Sequence, residues 1–104
     1  MLAQVQHKKG CVRVSGEMTV HGAAALKEEL LAAFVRHPRA DRLDLSDVSE
    51  FDTAGLQLLL TARRQVAGDG RDLRLVAPSN VVRETLILCH LTALLPSPAA
   101  EGTP

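Results

Sequence analysis

The chain has 104 residues, 46% of them apolar, with 12 Lys plus Arg against 12 Asp plus Glu, so its formal net charge is zero. This length suits one compact domain and is too short for two independent cores, and the apolar share excludes a disordered tail protein. With no net charge, and with Phe34 and Phe51 as the only aromatics, neither a general attraction to nucleic acid or anionic membrane nor a base-stacking surface is expected.

Cys11 and Cys89 are isolated, have no metal-type spacing and read as reduced thiols in or near the core. Residues 1–7 lack the basic start and apolar run of a secretory signal. No apolar stretch approaches the ~20 residues of a membrane span. The expectation is a cytoplasmic protein with no direct membrane insertion.

In chain order, Val5 opens a weak strand that turns at Lys8-Lys9-Gly10 into a second one, where Val12 and Val14 alternate with Arg13 and Ser15. Residues 3–15 therefore predict a hairpin, with Gly16 ending its second strand. From Ala23 the period becomes helical through Leu26, Leu30, Ala33 and Phe34, until Pro38 stops it. Leu43 and Leu45 alternate with Arg42, Asp44 and Ser46 as a third strand, followed by a polar loop to Asp52. Leu56, Leu58, Leu59, Leu60 and Val66 mark a second helix closed by Gly68-Asp69-Gly70. Leu73, Leu75 and Ala77 predict a fourth strand. Ser79 caps a third helix whose buried stripe is Val82, Leu86 and Cys89. The tail 97–104 has no apolar period and is expected to be disordered, leaving residues 1–96 as the domain. Strands alternating with helices imply parallel neighbours and right-handed crossovers, with the hairpin adding an antiparallel pair.

The informative stretch is Asp44-Leu45-Ser46-Asp47-Val48-Ser49-Glu50-Phe51-Asp52-Thr53-Ala54-Gly55-Leu56. Thr53 is placed to cap the second helix, where unpaired first-turn amides and the helix dipole favour an anion such as a phosphoryl group. Gly55 leaves that turn without a side chain, so a partner's backbone could approach closely. The plain alternative is an ordinary cap worth about 1 kcal/mol.

This stretch resembles the signature of the STAS family: an Asp-Leu-Ser strand end (Asp44-Leu45-Ser46), a short loop, then Asp-Ser/Thr-x-Gly-Leu opening a helix (Asp52-Thr53-Ala54-Gly55-Leu56). Ser15-Gly16-Glu17-Met18 is similar to the Gly-Glu-Leu after the family's second strand. The run from Leu73 to Ser79 with Val81 and Val82 resembles its last strand and following helix. Leu88-Cys89-His90-Leu91 resembles its closing element, with His90 where the usual residue is Gly. The resemblance covers roughly residues 3–95. It implies an α/β, single-domain STAS fold: a mixed sheet of four to five strands with three to four helices.

The resemblance further implies a protein-interaction switch of the anti-sigma-factor-antagonist type. In regulated members a serine directly before the signature Gly is phosphorylated by a kinase that is also an anti-sigma factor. Here that position is Ala54, without a hydroxyl, and Thr19 stands where many regulated members carry an Asp. Thr53 is the nearest phosphoacceptor candidate, and two readings stay open: Thr53 is the regulated residue, or the domain binds constitutively. A Thr at this position is also similar to a second branch, a STAS subunit docking on the ATPase of a phospholipid-transport ABC complex. The run Thr53 to Leu60 fits that branch, and the run Asp52 to Leu60 also suggests a signalling or chemotaxis-associated module.

The expected binding face comprises Ser46, Asp47, Asp52, Thr53, Ala54, Gly55 and Leu56, with Gly16, Glu17 and Thr19 beside them. Docking would bury apolar surface on the Leu56 side. A phosphate on Thr53 would add about −1.5 to −2 charges beside Asp47 and Asp52 and repel an acidic partner. Partners are therefore an anti-sigma factor or serine-kinase-like protein, or an ABC ATPase; a homodimer is compatible with the pattern. No catalytic residue, cofactor or metal is expected. His7, His21, His37 and His90 are scattered, and the acidic residues Asp44, Asp47, Glu50 and Asp52 read as a solvated rim. Gly68-Asp69-Gly70 lacks the Lys and Ser/Thr of a phosphate loop. Ser46 and Ser49 have no evident base. Arg63, Arg64, Arg71 and Arg74 read as surface charges, the first two on the second helix at the border of the expected interface.

Overall fold

A computed structural model describes residues 2–96; the tail expected to be disordered, 97–104, lies outside the described residues. The elements run β1 (Gln4–Lys8), β2 (Cys11–Met18), α1 (Ala23–Arg36), β3 (Arg42–Phe51), α2 (Thr53–Gly68), β4 (Arg74–Val76) and α3 (Asn80–Leu88), then a short 3-10 turn (Thr92–Leu94). They form one four-stranded sheet ordered β1-β2-β3-β4. β1 is antiparallel to β2, and β2, β3 and β4 are mutually parallel. This is the mixed α/β sheet that the alternation of periods predicts. Lys9 and Gly10 form the two-residue hairpin loop, both with positive φ (51° and 79°), the turn geometry that matches the right-handed twist of paired strands.

Strand β2 buries Val12, Val14 and Met18 and leaves Cys11, Arg13, Ser15 and Glu17 partly exposed. It does not end at Gly16. That residue sits inside the strand at φ +96°, and a Cβ there would lie 2.9 Å from the Leu2 carbonyl, so the position takes glycine without breaking the ladder. β3 likewise continues where a polar loop is expected. Arg13 pairs with Asp44 but Ser15 with Asp47, and Gly16 pairs with Val48 but Glu17 with Glu50. Each step inserts one extra residue into β3. These bulges move the inward positions from Leu43 and Leu45 to Val48, three residues on. The strict two-residue alternation is lost, so the segment imitates a loop in sequence.

The crossover helices seal one core. Leu26, Leu30, Ala33 and Phe34 of α1, Leu56, Leu58, Leu59, Ala62 and Val66 of α2, and Val82 and Leu86 of α3 join the buried strand residues in a single cluster. Each such large side chain contributes about 1.5–3 kcal/mol on full burial. α1 packs on α2, β1 and β2, while α3 lies against β3, where the Ser79 amide donates to the Leu45 carbonyl at 3.2 Å.

Three local readings change. Cys89 is exposed, since it follows the last turn of α3 and does not extend its buried stripe. Ser79 occupies the N-cap of α3, but its hydroxyl makes no capping bond. Arg71 is no simple surface charge. Its guanidinium donates to the carbonyls of Phe34 (3.3 Å), His37 (3.2 Å) and Ala40 (2.8 Å) and pairs with Asp69 at 2.7 Å, tying the end of α1 to the end of α2. Beside it the imidazoles of His7 and His37 stack with centroids 3.6 Å apart. Burial, His7 and Arg36 all disfavour a charge on His37 and hold its pKa below the usual histidine value.

Helix α3 closes with the amide of His90 on the Ile87 carbonyl (3.1 Å) and that of Leu91 on the Leu86 carbonyl (2.8 Å), the paired bonds of a Schellman cap. The left-handed residue of such a cap is normally Gly; here it is His90, at φ +59°. Replacing His90 by Gly removes the Cβ–carbonyl crowding of that conformation. His90→Gly is therefore expected to raise the unfolding free energy by about 1 kcal/mol, after allowance for the added unfolded-state freedom. A urea titration of the two proteins measures this.

Candidate functional site

β2 and β3 run parallel and end side by side, at Met18 and Phe51, where α2 begins. One side chain organises this junction. Asp52 is the N-cap of α2: its Oδ1 accepts from the amides of Ala54 (2.9 Å) and Gly55 (3.1 Å). Its Oδ2 accepts from the Val20 amide at 3.0 Å, in the connection from β2 to α1. Its own amide donates to the Met18 carbonyl at 3.3 Å. Partial burial alone would raise the pKa of this carboxyl. The amides of Val20, Gly55 and Ala54 outweigh that effect, helped by His21, and the pKa lies below the ordinary carboxylate value.

The cap is therefore Asp52 and not Thr53, which is the first residue of α2 and is exposed. Asp52 also occupies the Ala54 and Gly55 amides, so the entrance of α2 is not the vacant anion site that its position in sequence suggests. Gly55 is buried. A Cβ there would drive into the Met18 carbonyl and sit 2.9 Å from Phe51 Cδ1, so this glycine admits the body of its own sheet and not a partner's backbone. Leu56 is only 8% exposed and belongs to the core, which removes it as apolar docking surface. Thr19 is buried with its hydroxyl inside, and Gly16 is covered by residues 2 and 3.

Exposed at the junction are Ser46, Asp47, Ser49, Glu50 and Thr53, with Ala54 and Glu17 partly exposed. Asp47 is held by Arg13 at 2.6 Å, and the Ser46 amide donates to Asp44 at 2.8 Å. The residue that sequence reasoning missed is Val20, 66% exposed, whose amide is bound by the Asp52 carboxylate. It supplies the apolar element that Leu56 cannot. No periodicity marks it, because it lies in a turn; the only hint is an apolar residue stranded between Thr19 and His21. Arg63 lies far along α2, in a separate cleft of about 640 Å³ lined also by Leu59, Leu75, Leu94 and Pro96. Among the described residues no group of three or more His, Cys, Asp or Glu is placed to hold a metal ion, and no helix is long and apolar enough to cross a membrane.

The Asp52 clamp makes a pH-dependent contribution. Its folded pKa is depressed, so the contribution is complete above the unfolded carboxyl pKa of about 3.9 and is lost as pH falls through the lower folded value. Asp52→Asn keeps one acceptor for α2 but turns an amide donor toward Val20. It is expected to cost about 1 kcal/mol at neutral pH and to flatten the acid limb of a stability–pH curve. Gly55→Ala is expected to cost about 1–3 kcal/mol through overpacking. Urea titrations between pH 2.5 and 7 measure both.

Comparison with known proteins agrees with this architecture. The SpoIIAA anti-sigma factor antagonist in its unphosphorylated form superposes with a TM-score of 0.68 at 18% identity, over 88% of this chain and 84% of that one. The phosphorylated form of the Bacillus cell fate determinant SpoIIAA gives 0.61 at 16% identity, over 88% and 86%. An anti-sigma factor antagonist from Mycobacterium paratuberculosis gives 0.69 at 26% identity, over 90% and 81%. The family model described as "Mlab, STAS domain" matches residues 1–96, so the chain belongs to the STAS domain family.

Proposed function

We propose that this protein is a cytoplasmic interaction switch that works by binding a regulatory protein, as anti-sigma-factor antagonists do, and not by catalysis. The observation that carries this reading is the surface at the α2 entrance. Thr53 stands exposed at the first helical position, directly after Asp52, whose carboxylate binds the amide of exposed Val20 as well as those of Ala54 and Gly55 and so holds the junction. Exposed Ser46, Asp47, Ser49 and Glu50 extend the same face, with Glu17 at its edge. An apolar contact within a polar rim on a preorganised backbone is what a reversible protein interface needs. Similarity to anti-sigma-factor antagonists supports the same reading.

Thr53 is the proposed regulatory acceptor, since Ala54 has no hydroxyl. A phosphate on Thr53 would place about −1.5 to −2 charges next to the Asp52 carboxylate and compete with it for the amides at the start of α2. Binding would be switched off by loosening the Asp52–Val20 clamp, which must outweigh the attraction that the added negative charge offers a basic partner. The acidic rim points to a partner that is basic at the contact. This changes the electrostatic part of the expected switch, because repulsion of an acidic partner is then not its main element.

A second reading is favoured by the same Ala54. Without the usual acceptor the domain would be a constitutive accessory subunit, docking through Thr53 on the ATPase of a phospholipid-transport ABC complex.

Capture from native lysate with wild type, Thr53→Ala, Thr53→Glu and Val20→Asp tests the site. Thr53→Glu and Val20→Asp are expected to weaken partner retention at least tenfold, about 1.4 kcal/mol, with folding intact by circular dichroism. Thr53→Ala is expected to retain a kinase-like partner; loss of an ATPase in Thr53→Ala selects the second reading. Equal retention by all four proteins would sink both. A phosphoester or ester hydrolysis rate that vanished in Thr53→Ala would make the protein an enzyme instead.

A further inference from the structure

The zero net charge conceals a segregation along the strands. β2 starts beside the hairpin loop at Lys9 and Gly10 and ends at the α2 entrance, so its 8 residues separate two ends of the molecule. The entrance end carries Asp47, Glu50 and Asp52. At the hairpin end the turn, the end of α1 and the start of β3 converge. The Asp41 amide donates to the Gly10 carbonyl at 3.2 Å, Arg42 donates to the Lys9 carbonyl, and His37 stacks on His7. These contacts gather Lys8, Lys9, Arg36, Arg39 and Arg42, of which all but Arg42 are exposed. Two acids lie among them, Asp41 at 3.6 Å from Arg42 and Asp44 near Cys11, so Lys and Arg remain in excess. Nearby Arg71 is matched by Asp69 at 2.7 Å, and Arg74 is balanced in number by Asp72.

We propose that this basic end is a docking surface for an anionic lipid bilayer. A patch with this excess of Lys and Arg attracts phosphate-bearing surfaces through their negative potential. Two observations favour lipid over nucleic acid. Val35, in the last turn of α1 directly before Arg36, is 71% exposed, an apolar side chain flanking the basic cluster as interfacial binding requires. No Phe, Tyr or Trp is available at this end to stack a base: Phe34 is fully buried, Phe51 lies at the other end of the sheet, and the His7 and His37 rings are stacked on each other. Lipid docking at this end would leave Val20 and Thr53 pointing away from the bilayer and open to a protein partner. The two sites can then be occupied together.

Co-sedimentation of the full chain with phosphatidylcholine vesicles, with and without half phosphatidylglycerol, tests the surface. Binding is expected only to the anionic vesicles and is expected to fall at least tenfold when NaCl is raised from 0.05 to about 0.5 M. Each Lys or Arg near the surface is worth about fivefold in partition, so the triple variant Lys8→Glu, Lys9→Glu, Arg39→Glu should abolish it. Val35→Ser should weaken it severalfold with the charge unchanged. Thr53→Glu should leave it intact, which separates this surface from the partner site. Equal binding to neutral vesicles, or no binding at low salt, overturns the proposal. So does duplex DNA binding that is tighter than vesicle binding, lost in the triple variant and indifferent to Val35→Ser; that result reassigns the patch to nucleic acid.

Discussion

The geometry of the α2 entrance depends on one carboxylate. Asp52 accepts three amide hydrogen bonds, two from the helix it caps and one from Val20, and its own amide is bound by the Met18 carbonyl. A capping serine or threonine has one oxygen and could serve the helix but not also the turn after β2. A carboxylate has two, and both are used. The connection from β2 to α1 and the start of α2 are separated by 32 residues in sequence, yet they are held as one surface. Gly55 is the complementary requirement: with no Cβ, the first turn of α2 settles directly on the Met18 carbonyl.

This arrangement explains what the signature residues do. In sequence, Asp52-Thr53-Ala54-Gly55-Leu56 reads as a row of contact residues. In the fold only Thr53 among these five is exposed; Asp52 clamps, Gly55 admits the strand end, and Leu56 anchors in the core. Much of the signature is thus scaffolding for one exposed side chain and for Val20, whose amide Asp52 binds. A motif that builds a platform constrains the partner less than a motif that touches it. Domains with the same platform can therefore take different partners according to the residues at its rim.

The fold was legible in the sequence wherever one period governed an element. The α1 stripe from Leu26 to Phe34, the α2 stripe through Leu56, Leu59 and Val66, and the alternation of Val12 and Val14 all face the core as their spacing dictates. Legibility failed where two constraints acted on the same residues. The bulges in β3 interrupt its alternation, so half of a 10-residue strand reads as loop. At the helix start, both Asp52 and Thr53 are good caps. Only the amide of Val20, distant in sequence, decides between them. Arg71 is indistinguishable from a surface arginine until α1 and α2 bring three carbonyls to it.

The charge segregation has a local physical origin. α2 starts at the acidic end, where the positive pole of its dipole meets Asp52. α1 finishes at the basic end, where Arg36 lies in its last turn and Arg71 binds the Phe34 and His37 carbonyls. Charges that complement helix ends stabilise each helix, and in a sheet with parallel crossovers those ends lie at the same edges of the molecule. The same crossover geometry that stacks α1 and α2 on the parallel strands therefore puts the acidic cap of α2 and the basic last turn of α1 at opposite ends of the strand axis. A chain with equal numbers of both becomes polar end to end without any added charge. Composition alone registers the sum of these charges and misses their direction, and the direction is what a partner or a surface would meet.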